Sequence, residues 1–486
     1  MHPKSSLWKQ SICQLWCNLI WMNFQKKLLI VAFFGATFAV FLQEQNLQFL
    51  GNRYPASHGL LTSADEASYF APAFNFLQKG TWKDNSIGQS AYFQRTPGYG
   101  LVYLFCLVIT GKKAFWMLKL LQILAFSGSI FLFGNILEKL LKNSKFAIFG
   151  TLIYAFVPAF SGFIYFTLTE SFTPFLVLWS VFAGISFEQK KNNFSWNFLL
   201  ANSVMLLFRP QLIVFILVFL AYYFFQYQRK KAVFTLLAIL PLLIWNIRTV
   251  AISGTWLGIH PIYSTTNNTL FRPSHEAMTN LFRIWEADGA KFHETIHALT
   301  DSTDISLISA QIPEKYRKKV TPILKKYRVV YNYQLTHFDQ SKPISGTFQG
   351  EDKFLLEINT LTKKLKSENK LDYYILTPIK SLKKLMLSSH LNLGIYQFKY
   401  RGTWWMETTR WSCLAIIVSS FMAALLALFK KDRDLIFYLS LAIIVNIFYL
   451  IFIQRMNEER YLTPFLPIAL IVLLVGILNL RKKTIS

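Results

Sequence analysis

Charge is scarce in this chain, and acidic charge is scarcest. Only 16% of the 486 residues are charged, with 25 Asp and Glu against 51 Lys and Arg, a formal net charge of +26. There are four cysteines, Cys13, Cys17, Cys106 and Cys413, and none lies in 254–405, so no disulfide is expected in that segment. Cys13 and Cys17 sit one helical turn apart without nearby His or Cys to complete a metal set, and they read as two thiols on an interfacial helix. No Gly-rich phosphate loop is present, which argues against a soluble nucleotide-binding domain. No small-residue cleavage site follows the first apolar run, Leu28–Leu42, so the run reads as an uncleaved signal anchor behind Lys26 and Lys27.

Apolar sequence is abundant. Hydrophobic residues make up 53% of the chain and aromatics 17%, with 46 Phe. Runs approaching the ~20 residues that span ~30 Å of hydrocarbon recur along the chain. They lack the period-2 alternation of barrel strands, so the expected fold is an all-α polytopic membrane protein. Spans are expected near 28–42, 114–137, 146–160, 171–187, 194–208, 211–227, 232–250, 411–429, 435–453 and 461–480, about ten in all. The run Pro97–Thr110 is short for a span and fits an interfacial or re-entrant helix. If it does not cross, every cytoplasmic segment is basic: the N-terminus, 138–145, 188–193, 228–231, 430–434 and the tail with Arg481, Lys482 and Lys483. That satisfies the positive-inside rule and accounts for much of the basic charge without nucleic acid.

The expected organisation is an N-terminal cytoplasmic or interfacial stretch (1–27), a transmembrane module (28–253) with a large first outer loop (43–113), an extracytoplasmic segment (254–405) and C-terminal transmembrane helices (406–486). Helices are expected in the extracytoplasmic segment around 314–335 and 351–367. This orientation gathers several charged residues on the outer face. In the first loop, Ser63 and Glu66 have the spacing of a capping box, and an amphipathic helix with Tyr69, Phe70, Ala73, Phe74 and Leu77 on one face should follow. Pro72 would kink it. Asp65 and Glu66 are adjacent, so one can face a site while the other caps; both also suit a helix N-terminus electrostatically. Arg95, just before Pro97-Gly98-Tyr99, suits either a phosphate or a lipid headgroup. Glu170 opens an apolar helix, and Arg209, Arg248 and Arg460 lie at the outer ends of others. Carboxylates and guanidiniums converging at one membrane face suit a reaction on a lipid-linked phosphate.

The chain resembles the GT-C fold glycosyltransferases, in particular the group with protein O-mannosyltransferases and lipid A aminoarabinose transferases. The resemblance rests on Asp65-Glu66-x-x-Tyr69, Arg95-x-Pro97-Gly98-Tyr99, Thr169-Glu170-Ser171, Arg209-Pro210, Trp245-Asn246-x-Arg248 and Glu459-Arg460-Tyr461-Leu462-x-Pro464. It covers 28–260 and 455–480; Pro72, and Thr249 where many relatives have Asn, depart from the pattern. It implies a GT-C-like bundle and inverting transfer of a sugar from a polyprenyl-phosphate donor to a hydroxyl of a protein, glycan or lipid acceptor. The site would lie on the outer face of what is expected to be a bacterial inner membrane. Asp65, with Glu66 and Glu170, is expected in the catalytic set, Asp65 as general base. Arg95, Arg248 and Arg460 are expected on the donor phosphate, and Tyr69, Tyr99, Arg209 and Tyr461 on substrate. No cofactor is expected, and a divalent metal is not indicated. Competing readings are an O-antigen polymerase or ligase, a multi-pass transporter, and a non-catalytic subunit whose outer segment binds a partner.

Overall fold

A computed structural model describes residues 23–50, 56–57, 59–63, 65–82, 95–191, 193–253, 273–287, 305–337, 348–388, 390–431, 433–455 and 457–485. Cys13, Cys17 and the proposed N-terminal interfacial helix lie outside them. The chain forms α1 (Phe24–Leu50), a two-stranded antiparallel hairpin β1 (Ala56–Ser57) and β2 (Leu60–Leu61), α2 (Glu66–Lys79), α3 (Gly98–Thr110), α4 (Ala114–Leu141) and α5 (Ser144–Phe156). Next come α6 (Thr173–Glu188), α7 (Trp196–Phe208), α8 (Ile213–Phe225), α9 (Arg229–Leu236) and α10 (Leu240–Ser253). The segment 254–405 contributes α11 (Pro273–Phe282), α12 (Ile305–Gln311), α13 (Glu314–Thr336), α14 (Glu351–Glu368) and α15 (Thr377–Met386). The chain closes with α16 (Trp404–Ala427), α17 (Leu435–Phe448) and α18 (Leu466–Ile485).

Helices occur at all the stretches expected to be apolar spans. Five helical stretches among the described residues are long and apolar enough to cross a membrane: Phe24–Leu50, Gly98–Leu141, Arg229–Ala251, Trp404–Ala427 and Leu435–Gln454. Five more apolar helices are shorter, 10–17 residues: Ser144–Phe156, Thr173–Glu188, Trp196–Phe208, Pro210–Phe225 and Leu466–Leu480. The 44-residue stretch Gly98–Leu141 is not one rod. At Gly111 the backbone takes φ 54°, ψ −120°, and the chain turns back. Gln122 then donates to the Tyr99 hydroxyl at 3.0 Å, although a continuous helix would hold the two residues about 35 Å apart. α3 is therefore a short arm folded against the start of α4, and α4 alone has 28 residues.

Turns between helices are closed by local chemistry. Asn143, Ser195 and Asp434 cap α5, α7 and α17, each accepting from the backbone N–H three residues on, as short polar side chains do at exposed helix starts. These caps fall in or beside the basic connections 138–145, 188–193 and 430–434. α4 is the hub of the bundle, packing on α1, α5, α6 and, through the far end of the sequence, α18. One apolar core runs from Val31 to Leu478, so the N-terminal module and the last three helices are a single packed body.

α13 and α14 lie where the periodicity placed them. The segment 254–405 has its own core, built on Met278, Tyr316, Leu324, Tyr327, Ile358 and Leu365. Beyond Ser381 the allegiance changes: Leu385, Leu391, Leu393 and Met406 belong to the bundle core. Asn46 at the end of α1 accepts from Ile395 N–H at 3.2 Å, and the absent Cβ of Gly394 makes room for Leu50.

Candidate active site

α2 begins with Asp65 at its N-cap, but no side chain caps the helix. The capping box read from Ser63 and Glu66 does not form. Buried Ser63 Oγ has no hydrogen-bond partner, and the Glu66 carboxylate accepts instead from Thr167 Oγ1 at 2.7 Å. The tertiary partner wins because Thr167 is brought alongside by the pairing of Leu61 with 165–167, through Leu61 N–H to Tyr165 O and Thr167 N–H to Leu61 O. The apolar face of α2 also differs from expectation. Tyr69, Phe70 and Ala73 are buried in the bundle, while Phe74 and Leu77, each 48% exposed, point away from it.

Asp65 spends its carboxylate on two arginines. Arg95 Nη2 reaches Oδ1 at 2.6 Å and Arg460 Nη1 reaches Oδ2 at 2.8 Å. Arg95 also donates from Nε to Ser68 Oγ at 3.2 Å and lies 5.0 Å over the Tyr69 ring. Arg460 pairs with Glu458 at 2.5 Å. Arg209, the C-cap residue of α7, meets Glu170 at 3.2 Å. Arg209 and Arg460 both approach the Tyr461 ring, at 5.2 and 5.3 Å. Glu170 is 2% exposed, and its other oxygen accepts from Thr169 Oγ1 at 3.1 Å. Arg209 is nearly buried too, and its Nη1 has no hydrogen-bond partner. Three guanidiniums thus meet three carboxylates, a formally neutral cluster in which Asp65 and Glu458 keep about a quarter and a third of their side chains in solvent.

Glycines allow this convergence. A Cβ on Gly98 would stand 2.6 Å from the Leu207 carbonyl, and one on Gly100 would stand 2.8 Å from Tyr69 O. The start of α3 is wedged between α2 and the end of α7, which brings Arg95 and Arg209 to the same place. Burial pushes the Asp65 carboxyl up, but Arg95 and Arg460 outweigh it and hold it at about 2. Burial raises the neighbouring Glu66 carboxyl, and the Thr167 hydrogen bond only partly offsets this.

Of the ten residues singled out from the sequence, Asp65, Arg95, Glu170, Arg209, Arg460, Tyr69 and Tyr461 come together. Glu66 stands next to the cluster, turned to Thr167. Tyr99 is fully buried, edge-on to Tyr69 at 5.3 Å, and its hydroxyl serves Gln122; it is a pillar of the wall. Arg248 is engaged at the rim, donating to Trp82 O at 2.8 Å and stacking 4.4 Å over Trp245.

Sequence reading missed three groups. Lys119, in α4, bonds Glu44 at 2.6 Å, and Tyr165 donates to the same carboxylate at 2.8 Å. Ionisable residues inside apolar runs were the signal for these. Ser388 donates to Glu459, whose other oxygen faces buried His390 at 3.9 Å, tying the end of the segment 254–405 to the turn that carries Arg460. An Asp-x-Asp triplet, Asp432-Arg433-Asp434, also exists; Asp434 caps α17 through Phe437 N–H at 2.9 Å. Among the described residues there is no group of three or more His, Cys, Asp or Glu arranged to hold a metal ion. No family model matches the chain, and no curated protein matches it.

Proposed function

We propose that the chain is a membrane glycosyltransferase that moves a sugar from a polyprenyl-phosphate donor to an acceptor hydroxyl on the outer face of the membrane, with inversion. The observation that carries this reading is Asp65 held between Arg95, 30 residues on in sequence, and Arg460, 395 residues on. Apolar helices around the cluster offer a prenyl chain a place outside water. The basic connections 138–145, 188–193, 228–231 and 430–434 support an orientation with this cluster outside.

In the proposed reaction the acceptor O–H gives its proton to Asp65 as its oxygen attacks the anomeric carbon. The bond from that carbon to the phosphate oxygen breaks on the opposite side, and the lipid phosphate leaves with the electron pair. Arg95, Arg209 and Arg460 stabilise the charge that develops there; fixed cations act more strongly in a partly desolvated site than in water. With both arginines on it, Asp65 is ionised at neutral pH but a weak base. The cluster is already charge-balanced, so a phosphate has to displace a carboxylate to bind; Asp65, a quarter exposed, is the one shared by Arg95 and Arg460, whereas Glu170 is sealed. A phosphate that takes Arg95 and Arg460 frees Asp65 and raises its basicity as the acceptor arrives. General-base help of this kind contributes roughly 10²–10⁴-fold.

Native mass spectrometry of the detergent-solubilised protein with added polyprenyl phosphate tests the donor half of the proposal. Wild type should retain the lipid, and Arg460→Ala and Arg95→Ala should lose it while keeping their fold. Equal retention by all three would overturn it. Reporter fusions after Asn143 and Lys431 should read cytoplasmic, and one after Lys364 should read outside; a cytoplasmic Lys364 would remove the outer-face site.

A further inference from the structure

α15 divides into three faces. Thr377, Pro378, Ser381 and Leu385 are buried. Ile375, just ahead of the helix, with Ile379 and Leu382, is apolar and open, at 47%, 55% and 38% exposure. Lys380, Lys383 and Lys384 are exposed on the remaining side. At 3.6 residues per turn the three sets fall in separate sectors of about 120° each. A solvated helix has no use for the second sector, and a helix packed wholly in protein has no use for the third. A helix lying in a membrane interface uses all three: protein on one side, acyl chains below, headgroups above.

Its surroundings put lipid at that level. The buried face ends in Leu385, which belongs to the transmembrane core, and Met386 packs on the same core. α15 contacts the π-helical turn Tyr449–Gln454 that ends α17. Phe448, Phe452 and Ile453 on that stretch are themselves 54%, 38% and 63% exposed, as side chains facing hydrocarbon are. Arg455, next in sequence, donates to Tyr373 O at 2.6 Å and stacks 3.6 Å over the Tyr373 ring, fixing the chain just before α15 to the outer end of that span. Trp404 and Trp405 begin α16, Trp404 being 81% exposed, in the manner of an aromatic belt.

We infer that α15 is an interfacial helix whose Ile375, Ile379 and Leu382 insert among lipid acyl chains while Lys380 and Lys383 meet anionic headgroups. The occupant of the open apolar face is the lipid of the same leaflet. The outer segment is thereby held down on the membrane beside Glu459 and Arg460. This inference is independent of the reaction proposed above.

Spin labels at Ile379→Cys and Lys383→Cys, each in a Cys13→Ser, Cys17→Ser background of the full chain, test it; Cys106 and Cys413 are buried. In nanodiscs containing phosphatidylglycerol, the label at 379 should be relaxed more by oxygen than by a water-soluble nickel chelate, and the label at 383 the reverse. Equal, water-like accessibility at both positions overturns the inference. Shielding of 379 from both reagents also overturns it, because protein then covers the face. A companion measurement needs no substitution: lipids with a photoreactive acyl chain should label the peptide spanning 375–387 in wild type, and absence of label there contradicts the assignment.

Discussion

Two groups of ion pairs in this molecule use the same residue types to opposite ends. Between α13 and α14, Lys319 pairs with Glu368 and Lys326 with Glu357, each at 2.6–2.7 Å, with 37–56% of every side chain exposed. Around Asp65 the distances are similar, yet Glu170 is 2% exposed and Arg209 is nearly buried with Nη1 unpartnered. Pairs of the first kind contribute little, because water and salt screen them. Pairs of the second kind cost desolvation, and α+α packing alone gives no reason to gather three arginines at one spot. Placement in the fold, and not pairing itself, separates a solvated surface from a candidate site.

The comparison can be broken most forcefully at Arg209. Arg209→Met leaves the Glu170 carboxylate buried without its cation, and a stability loss of about 3–5 kcal/mol is expected. Thermal unfolding in detergent measures it, and Arg209→Met combined with Glu170→Gln should recover much of the loss. If the single substitution is silent, the buried pair is no different from the surface ones.

Gly98→Ala comes next. Its Cβ meets the Leu207 carbonyl at 2.6 Å, so α3 must shift, at a cost of about 1–3 kcal/mol. Donor binding should fall with it, because Arg95 and Arg209 are set apart. Normal lipid retention in this variant would show that the close approach of α3 and α7 does not set the site.

A smaller effect is expected from pH. The folded Asp65 carboxyl is held at about 2, below its ordinary 3.8. A depressed carboxyl stabilises above its unfolded value and loses that contribution as pH falls through the folded one. Wild type should therefore lose stability between about pH 4 and pH 2, and Asp65→Asn should lack this step. The surface pairs mark the floor of the comparison. Lys326→Ala should change stability by about 0–1 kcal/mol, and less at high salt.

Much of this architecture was legible in the sequence because the signals were local. Apolar runs announce helices by length, and α13 and α14 announce themselves by period. The members of the cluster were legible one at a time, since Arg95, Glu170, Arg209 and Arg460 each sit at the end of an apolar run and Asp65 opens an amphipathic helix. What the sequence could not carry was choice among partners. Nothing near Ser63 reveals that Glu66 will leave the cap for Thr167, a hundred residues on. Arg209 and Arg248 look alike in sequence, and only the wedge of Gly98 and Gly100 brings one into the cluster while Trp82 keeps the other at the rim. Lys119 and Glu44 find each other across two helices, and no spacing records that. Phe74 and Leu77 share a period with Tyr69 and Phe70, but the bundle covers only part of that face.

The central claim is that Asp65 and its arginines carry out sugar transfer from a lipid phosphate. Its most direct test is an assay of transfer from a polyprenyl-phosphate sugar to an acceptor hydroxyl, with wild type and Asp65→Asn reconstituted side by side at equal folded amounts. Asn keeps the size of Asp but cannot take the proton. The account predicts a fall in turnover of roughly 10²-fold or more with lipid retention preserved. Near-normal transfer by a well-folded Asp65→Asn protein would contradict it.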